Sequence, residues 1–128
     1  MKRVVFTDNA PRPVGPYSQA VCIDGWLFIS GQLPLDPKSN NIVEGDFKTK
    51  VRRALENVKA IVESVGGSLD NIVKVTVYLS DISRFAEFNE VYREFFPQTP
   101  PARSVIGVAK LPRDAEVEVE AIARIGRC

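Results

Sequence analysis

Two stretches carry residue types that could do chemistry together. The first is Pro100-Pro101-Ala102-Arg103-Ser104-Val105-Ile106-Gly107-Val108, where a guanidinium follows a proline pair. Proline locks φ and pushes the preceding residue out of helical space, so the chain reaches Arg103 extended. Ser104 to Val108 is apolar and partly β-branched, and it reads as a short buried strand. A guanidinium keeps its proton there and offers a fork of donors that matches a carboxylate in two bonds. The plainer reading is a rim arginine with a packed stem and a wet head. The second stretch runs from Glu116 to Ile125 and alternates throughout. Val117, Val119, Ala121, Ala123 and Ile125 point one way; Glu116, Glu118, Glu120, Ile122 and Arg124 point the other. Neighbouring glutamates then stand roughly 7 Å apart on one strand face. A solvated face or edge protection accounts for them equally well. In a cleft, partial desolvation raises a carboxyl pKa, and the group can give and take protons near neutral pH. An arginine that holds a carboxylate and a glutamate that moves a proton form a minimal set for work on a small organic acid.

The composition narrows the alternatives. The chain of 128 residues has no histidine. That removes the commonest general base and metal ligand, and every Ser-His or Cys-His nucleophilic pair. Its two cysteines, Cys22 and Cys128, have neither metal-ligand nor redox-motif spacing, and read as one buried small side chain and one loose thiol. Neither a metal nor a cofactor site is expected. The formal net charge is +1, and the short basic patch from Lys48 to Arg53 reads as a solvated helix face, so no nucleic-acid partner is expected. With no leader and no long apolar run, the chain is expected to be soluble and cytoplasmic, with no membrane contact. Its length suits one domain over 1–128, able to bury roughly two-thirds of its unfolded surface without staples.

The elements that must position these groups follow from pattern. Met1 to Thr7 reads as a strand, and the proline-rich Asp8 to Tyr17 as an ordered surface connection. Ser18 to Ile23 and Trp26 to Ser30 are strands joined by Asp24-Gly25, a strong hairpin signal. After an irregular excursion to Gly45, Asp46 caps a helix from Phe47 to Val65, stopped by Gly66-Gly67. Ile72 to Leu79 alternates, with Val73, Val75, Val77 and Leu79 on one side. Ser83 offers a cap for a second helix, Arg84 to Phe96, with an aromatic stripe whose border carries Asn89. That amide is either a structural hydrogen bond or a ligand contact. The order suggests a two-layer α+β fold, a mixed six-stranded sheet with both helices on one face.

Four blocks carry a family resemblance. Gly15-Pro16-Tyr17-Ser18-Gln19-Ala20, Ser30-Gly31-Gln32-Leu33-Pro34, Pro101-Ala102-Arg103-Ser104 and Val117-Glu118-Val119-Glu120-Ala121 occur in the order and spacing of the reactive intermediate deaminase (Rid) family. Across its whole length the chain resembles the 2-iminobutanoate/2-iminopropanoate deaminase branch. The resemblance implies a chorismate-mutase-like α+β fold, assembled as a homotrimer whose sheets form a barrel and whose active sites lie between subunits. It implies hydrolysis of 2-imino and 2-enamino acids to 2-oxo acids and ammonia, with no cofactor and no metal. By position, Arg103 would clamp the substrate carboxylate and Glu118 would activate water and return a proton. Tyr17, Ser30, Gly31, Asn89 and the backbone of Val105 would contact substrate, with Glu120 supporting. Many members carry cysteine where this chain has Val105, so thiol-based regulation there is not implied. Rival readings are a non-catalytic small-acid binding module in the same cleft, and an endoribonuclease or translation inhibitor.

Overall fold

The computed structural model describes residues 1–128, with six strands and two α-helices. The strands are β1 (Arg3–Val5), β2 (Ala20–Ile23), β3 (Trp26–Gln32), β4 (Ile72–Leu79), β5 (Ala102–Gly107) and β6 (Val117–Arg124). The helices are α1 (Phe47–Ser64) and α2 (Phe85–Phe95). One sheet runs in the order β1-β2-β3-β6-β4-β5, antiparallel except for the β4–β5 pair. Both helices bury their apolar stripes in one core with Val75, Val77, Leu79, Val119 and Ala121. The expected mixed two-layer α+β architecture is what forms.

Local chemistry explains most boundaries. Asp24 and Gly25 take φ of 51° and 81°, the left-handed pair that closes a hairpin in register with strand twist. The Asp46 carboxylate accepts the Thr49 N–H at 2.9 Å, capping α1 as expected. The buried Gln19 amide donates to the carbonyls of Thr7, Ala10 and Pro11, and its oxygen accepts the Thr7 N–H. That fourfold clamp orders the proline-rich connection.

Five expectations are corrected. Ser104 to Val108 is not a buried strand: β5 is an edge, paired with β4 alone and half-exposed. Val73 does not face the core; the β4–β6 register shifts between Ile72 and Lys74, turning Ile72 inward and leaving Val73 43 % exposed. Ser83 does not cap α2; it lies inside a 3-10 turn, where its N–H and hydroxyl both bond Asp81. Glu116 precedes β6 and leaves the glutamate face for Lys50 and Arg84, at 3.7 and 3.8 Å. Cys22 and Cys128 are not free: they form a disulfide, with Cα atoms 5.8 Å apart. The turn after β6 brings it about, because Ile125 bonds the Gly25 carbonyl and Gly126 takes φ 86°.

Candidate active site

Arg103 pairs with Val75 across β5 and β4, and paired residues face the same way, so its side chain leaves the sheet on the helix side. There Nη1 donates to Oδ1 of Asn89 at 2.8 Å. The guanidinium carbon stands 4.7 Å from the Tyr92 ring centre, 5.5 Å from Phe85 and 6.0 Å from Phe88. Phe85, Phe88, Asn89 and Tyr92 fall at i, i+3, i+4 and i+7 on α2, a single helical stripe. Aromatic faces attract the cation without using its N–H donors. Asn89 takes one of five, so an edge of the fork stays available on the wall of a cavity of about 430 Å³. The Asn89 amide oxygen holds Arg103, and the residue lines the same cavity. Burial pushes the Tyr92 phenol up to about 12, so it stays protonated beside the cation.

Glu118 pairs with Tyr78 across β6 and β4, on the sheet face away from the helices. Opposite it, the β3–β6 register slips between Ile29 and Gln32, and the bulge presses Gly31 against this side chain. A Cβ added to Gly31 would lie 2.8 Å from the Glu118 carboxyl carbon, so only glycine leaves the carboxylate its place. Burial, and after it the charge of Glu120, raises the Glu118 pKa above the usual carboxylate value. Glu118, Tyr17, Ser30, Gly31 and Arg12 line a cavity of about 340 Å³. Ser30 donates its hydroxyl to the Ser18 carbonyl at 2.6 Å, and the Tyr17 oxygen accepts the Val14 N–H at 3.2 Å. Glu120, two residues along the same face, accepts the Tyr78 hydroxyl.

The candidates thus fall into two groups. Tyr17, Ser30, Gly31 and Glu118 converge, with Glu120 beside them; Arg103 and Asn89 converge, with Val105 on the same edge strand packing its side chain against the core. Within one chain the groups do not meet. They lie on opposite sheet faces, two strands apart and offset by the three positions from Val75 to Tyr78, about 10 Å along the strand. Pattern reading missed the aromatic cage, the Gly31 bulge and the bond between Tyr78 and Glu120. The cage was visible as a stripe, but an aromatic stripe reads as core unless a cation is known to lie beside it. No group of three His, Cys, Asp or Glu is arranged to hold a metal ion, and no helix is long and apolar enough to cross a membrane.

Comparison with known proteins places this geometry in a family. The family model described as Endoribonuclease L-PSP matches residues 7–125. A RutC family protein of Pyrococcus horikoshii is 54% identical, over 96% of this chain and 98% of its own. A 2-iminobutanoate/2-iminopropanoate deaminase of the mite Dermatophagoides farinae is 40% identical, over 97% of each chain. The solved structure of RidA from the Antarctic bacterium Psychrobacter superposes with a TM-score of 0.92 at 45% identity, covering 96% of this chain and 99% of that one. Sequence and fold agree over nearly the whole length, and the chain belongs to the Endoribonuclease L-PSP family, that of the RutC and Rid proteins.

Proposed function

We propose that the protein hydrolyses short 2-imino and 2-enamino acids, such as 2-aminoacrylate, 2-aminocrotonate and their imines, to 2-oxo acids and ammonia. The observation that carries this reading is the split of the candidate residues into a cation half and a carboxylate half. A three- or four-carbon acid can touch both halves only where Arg103 of one copy meets Glu118 of another. A homotrimer with sites between copies satisfies that need. The outer sheet face supports it, since it leaves the large apolar side chains Trp26, Phe28 and Ile106 40%, 46% and 43% exposed, which burial against another copy would cover. Residues 1–128 act as one unit in this reading.

Arg103, oriented by Asn89, grips the carboxylate, while Tyr17, Ser30, Gly31 and the backbone of Val105 frame the rest. Glu118 takes a proton from water as the water oxygen bonds to the imine carbon and the C=N electron pair moves to nitrogen. That proton then passes from Glu118 to the nitrogen, giving a carbinolamine; Glu118 next takes the hydroxyl proton and delivers it to the nitrogen as the C–N bond breaks, so that ammonia leaves and the C=O of the 2-oxo acid forms. A raised carboxyl pKa suits a group that must both accept and return a proton. The scheme calls for no metal and no cofactor.

The test follows a dehydratase that releases 2-aminoacrylate or 2-aminocrotonate, and measures 2-oxo acid formation with and without this protein. Arg103→Ala and Glu118→Gln are each expected to abolish the acceleration. Co-refolded at equal amounts they are expected to regain it in part, because about a quarter of randomly assembled sites then combine both intact residues. A mixture as inactive as its parents overturns the two-copy site. Gly31→Ala is expected to displace the Glu118 carboxylate and cut the rate at least tenfold, with melting changed by only a few degrees.

Two rivals remain measurable in the same experiment. A small-acid binding module would be stabilised by a 2-oxo acid without accelerating its formation. A ribonuclease reading rests on the family description; a formal net charge of +1 supplies little attraction for a phosphate backbone, and a salt-dependent gel shift with RNA would be its first sign.

A further inference from the structure

Two carboxylates share the face away from the helices, and a third side chain treats them differently. Tyr78 sits on β4 directly opposite Glu118 on β6, yet its hydroxyl passes Glu118 and donates to Glu120. Directly opposed residues stand about 5 Å apart at Cβ, and diagonal ones about 7–8 Å, a distance a tyrosine can span. The phenol's only donor is therefore spent on the neighbour and not on the carboxylate directly across the ladder. Glu118 is left facing Gly31 and the cavity shared with Tyr17 and Arg12. Lys74, the cation on the same face of β4, donates to Ser104.

We propose that Tyr78 decides which of the two carboxylates carries the proton: by giving its only donor to Glu120 it leaves Glu118, directly opposite, without one, and so makes Glu118 the member that takes a proton up and hands it on. A hydrogen bond donated to a carboxylate favours the ionised form, and an ionised neighbour favours the protonated form of the other. The surroundings of both groups act in the same sense. Tyr78 itself is driven to keep its proton, first by the bond to Glu120 and then by burial. Glu118 is moved toward its protonated form by burial and by the charge on Glu120. Tyr78 is thus a positioning residue, acting through Glu120 on Glu118. Its role in turnover rests on the deaminase reading, in which Arg103 of another copy also faces Glu118 and favours its ionised form; the bond from Tyr78 to Glu120 does not rest on that reading.

The test is a side-chain carboxyl NMR titration of the assembled protein, with Glu118 and Glu120 assigned by single Gln substitutions. In the wild type the first proton added on acidification is expected on Glu118. Tyr78→Phe keeps the ring and removes the donor; the Glu118 midpoint is expected to fall by about half a pH unit or more, and the two midpoints to converge. Glu120→Gln is expected to lower the Glu118 midpoint in the same direction. A first proton on Glu120, or a Glu118 midpoint unmoved in both variants, overturns the proposal; a role in stability alone would change melting and leave the midpoints in place. The acid limb of the imine-hydrolysis rate is expected to follow the Glu118 midpoint. If the midpoints move and the rate limb does not, it is Glu118's part in turnover that fails, with the proton order intact.

Discussion

Replacing Arg103 by alanine is expected to lower kcat/KM for imine hydrolysis by about 10²–10⁴, or roughly 3–5 kcal/mol of transition-state stabilisation. The size follows from what the fork offers. A carboxylate bonded by two N–H groups of a guanidinium gains charge-assisted bonds in one plane, and the imine carbon is thereby fixed relative to the water. The cage of Phe85, Phe88 and Tyr92 strengthens the effect, because it orients the cation without occupying its free edge. Arg103→Lys is expected to recover little, since an ammonium is a point charge that cannot form the planar pair. Asn89→Ala is expected to cost about tenfold, because the guanidinium keeps its rings and loses one hydrogen bond. Melting of each variant, read beside its rate, separates loss of the clamp from loss of the fold. A wild-type rate in Arg103→Ala would remove the cation from the mechanism.

What pattern reveals in this sequence, and what it hides, has physical causes. Periodicity identified α1, because Phe47, Val51, Leu55, Val58 and Val62 repeat every three or four residues and all are buried. Alternation identified β4 and β6, and Asp24-Gly25 marked its hairpin through the φ values that turn demands. Alternation cannot foresee a bulge, however. One extra residue near Val73 turned that side chain outward, and another at Ser30-Gly31 created the close approach to Glu118. Nor does a short apolar run reveal whether a strand is central or at an edge. By pattern alone β5 reads as buried, whereas it lies at the sheet edge. The family resemblance named Arg103 and Glu118 as partners, but only strand order and pleat reveal that they leave the sheet on opposite sides. The candidate residues are therefore legible as a set, and their division between the two sheet faces becomes visible only in three dimensions.

Breaking the Cys22–Cys128 disulfide should produce the largest change in stability of any single substitution considered. The two cysteines are 106 positions apart, so the bond closes a ring that includes nearly every element. Chain-entropy reasoning assigns a loop of this length an upper value near 4.7 kcal/mol, and measured losses commonly run about 2–4 kcal/mol. At roughly 3–5 °C per kcal/mol for a chain of this size, Cys128→Ser is expected to lower Tm by on the order of 10 °C at fixed protein concentration. Reductant is expected to bring the wild type down to the melting point of the variant and to leave the variant unchanged. The rate at 25 °C should stay close to wild type in both, because the bond joins β2 to the chain beyond β6 and touches neither half of the candidate site. Folding is what sets the pairing. Cys22 faces the core opposite Leu27, Arg3 pairs with Cys22 and donates to the Cys128 main-chain oxygen, and Gly126 turns the last residues back over β2. Two thiols titrating in the unreduced, unfolded protein would show the bond absent in solution, and the reductant-dependent melting would vanish with it.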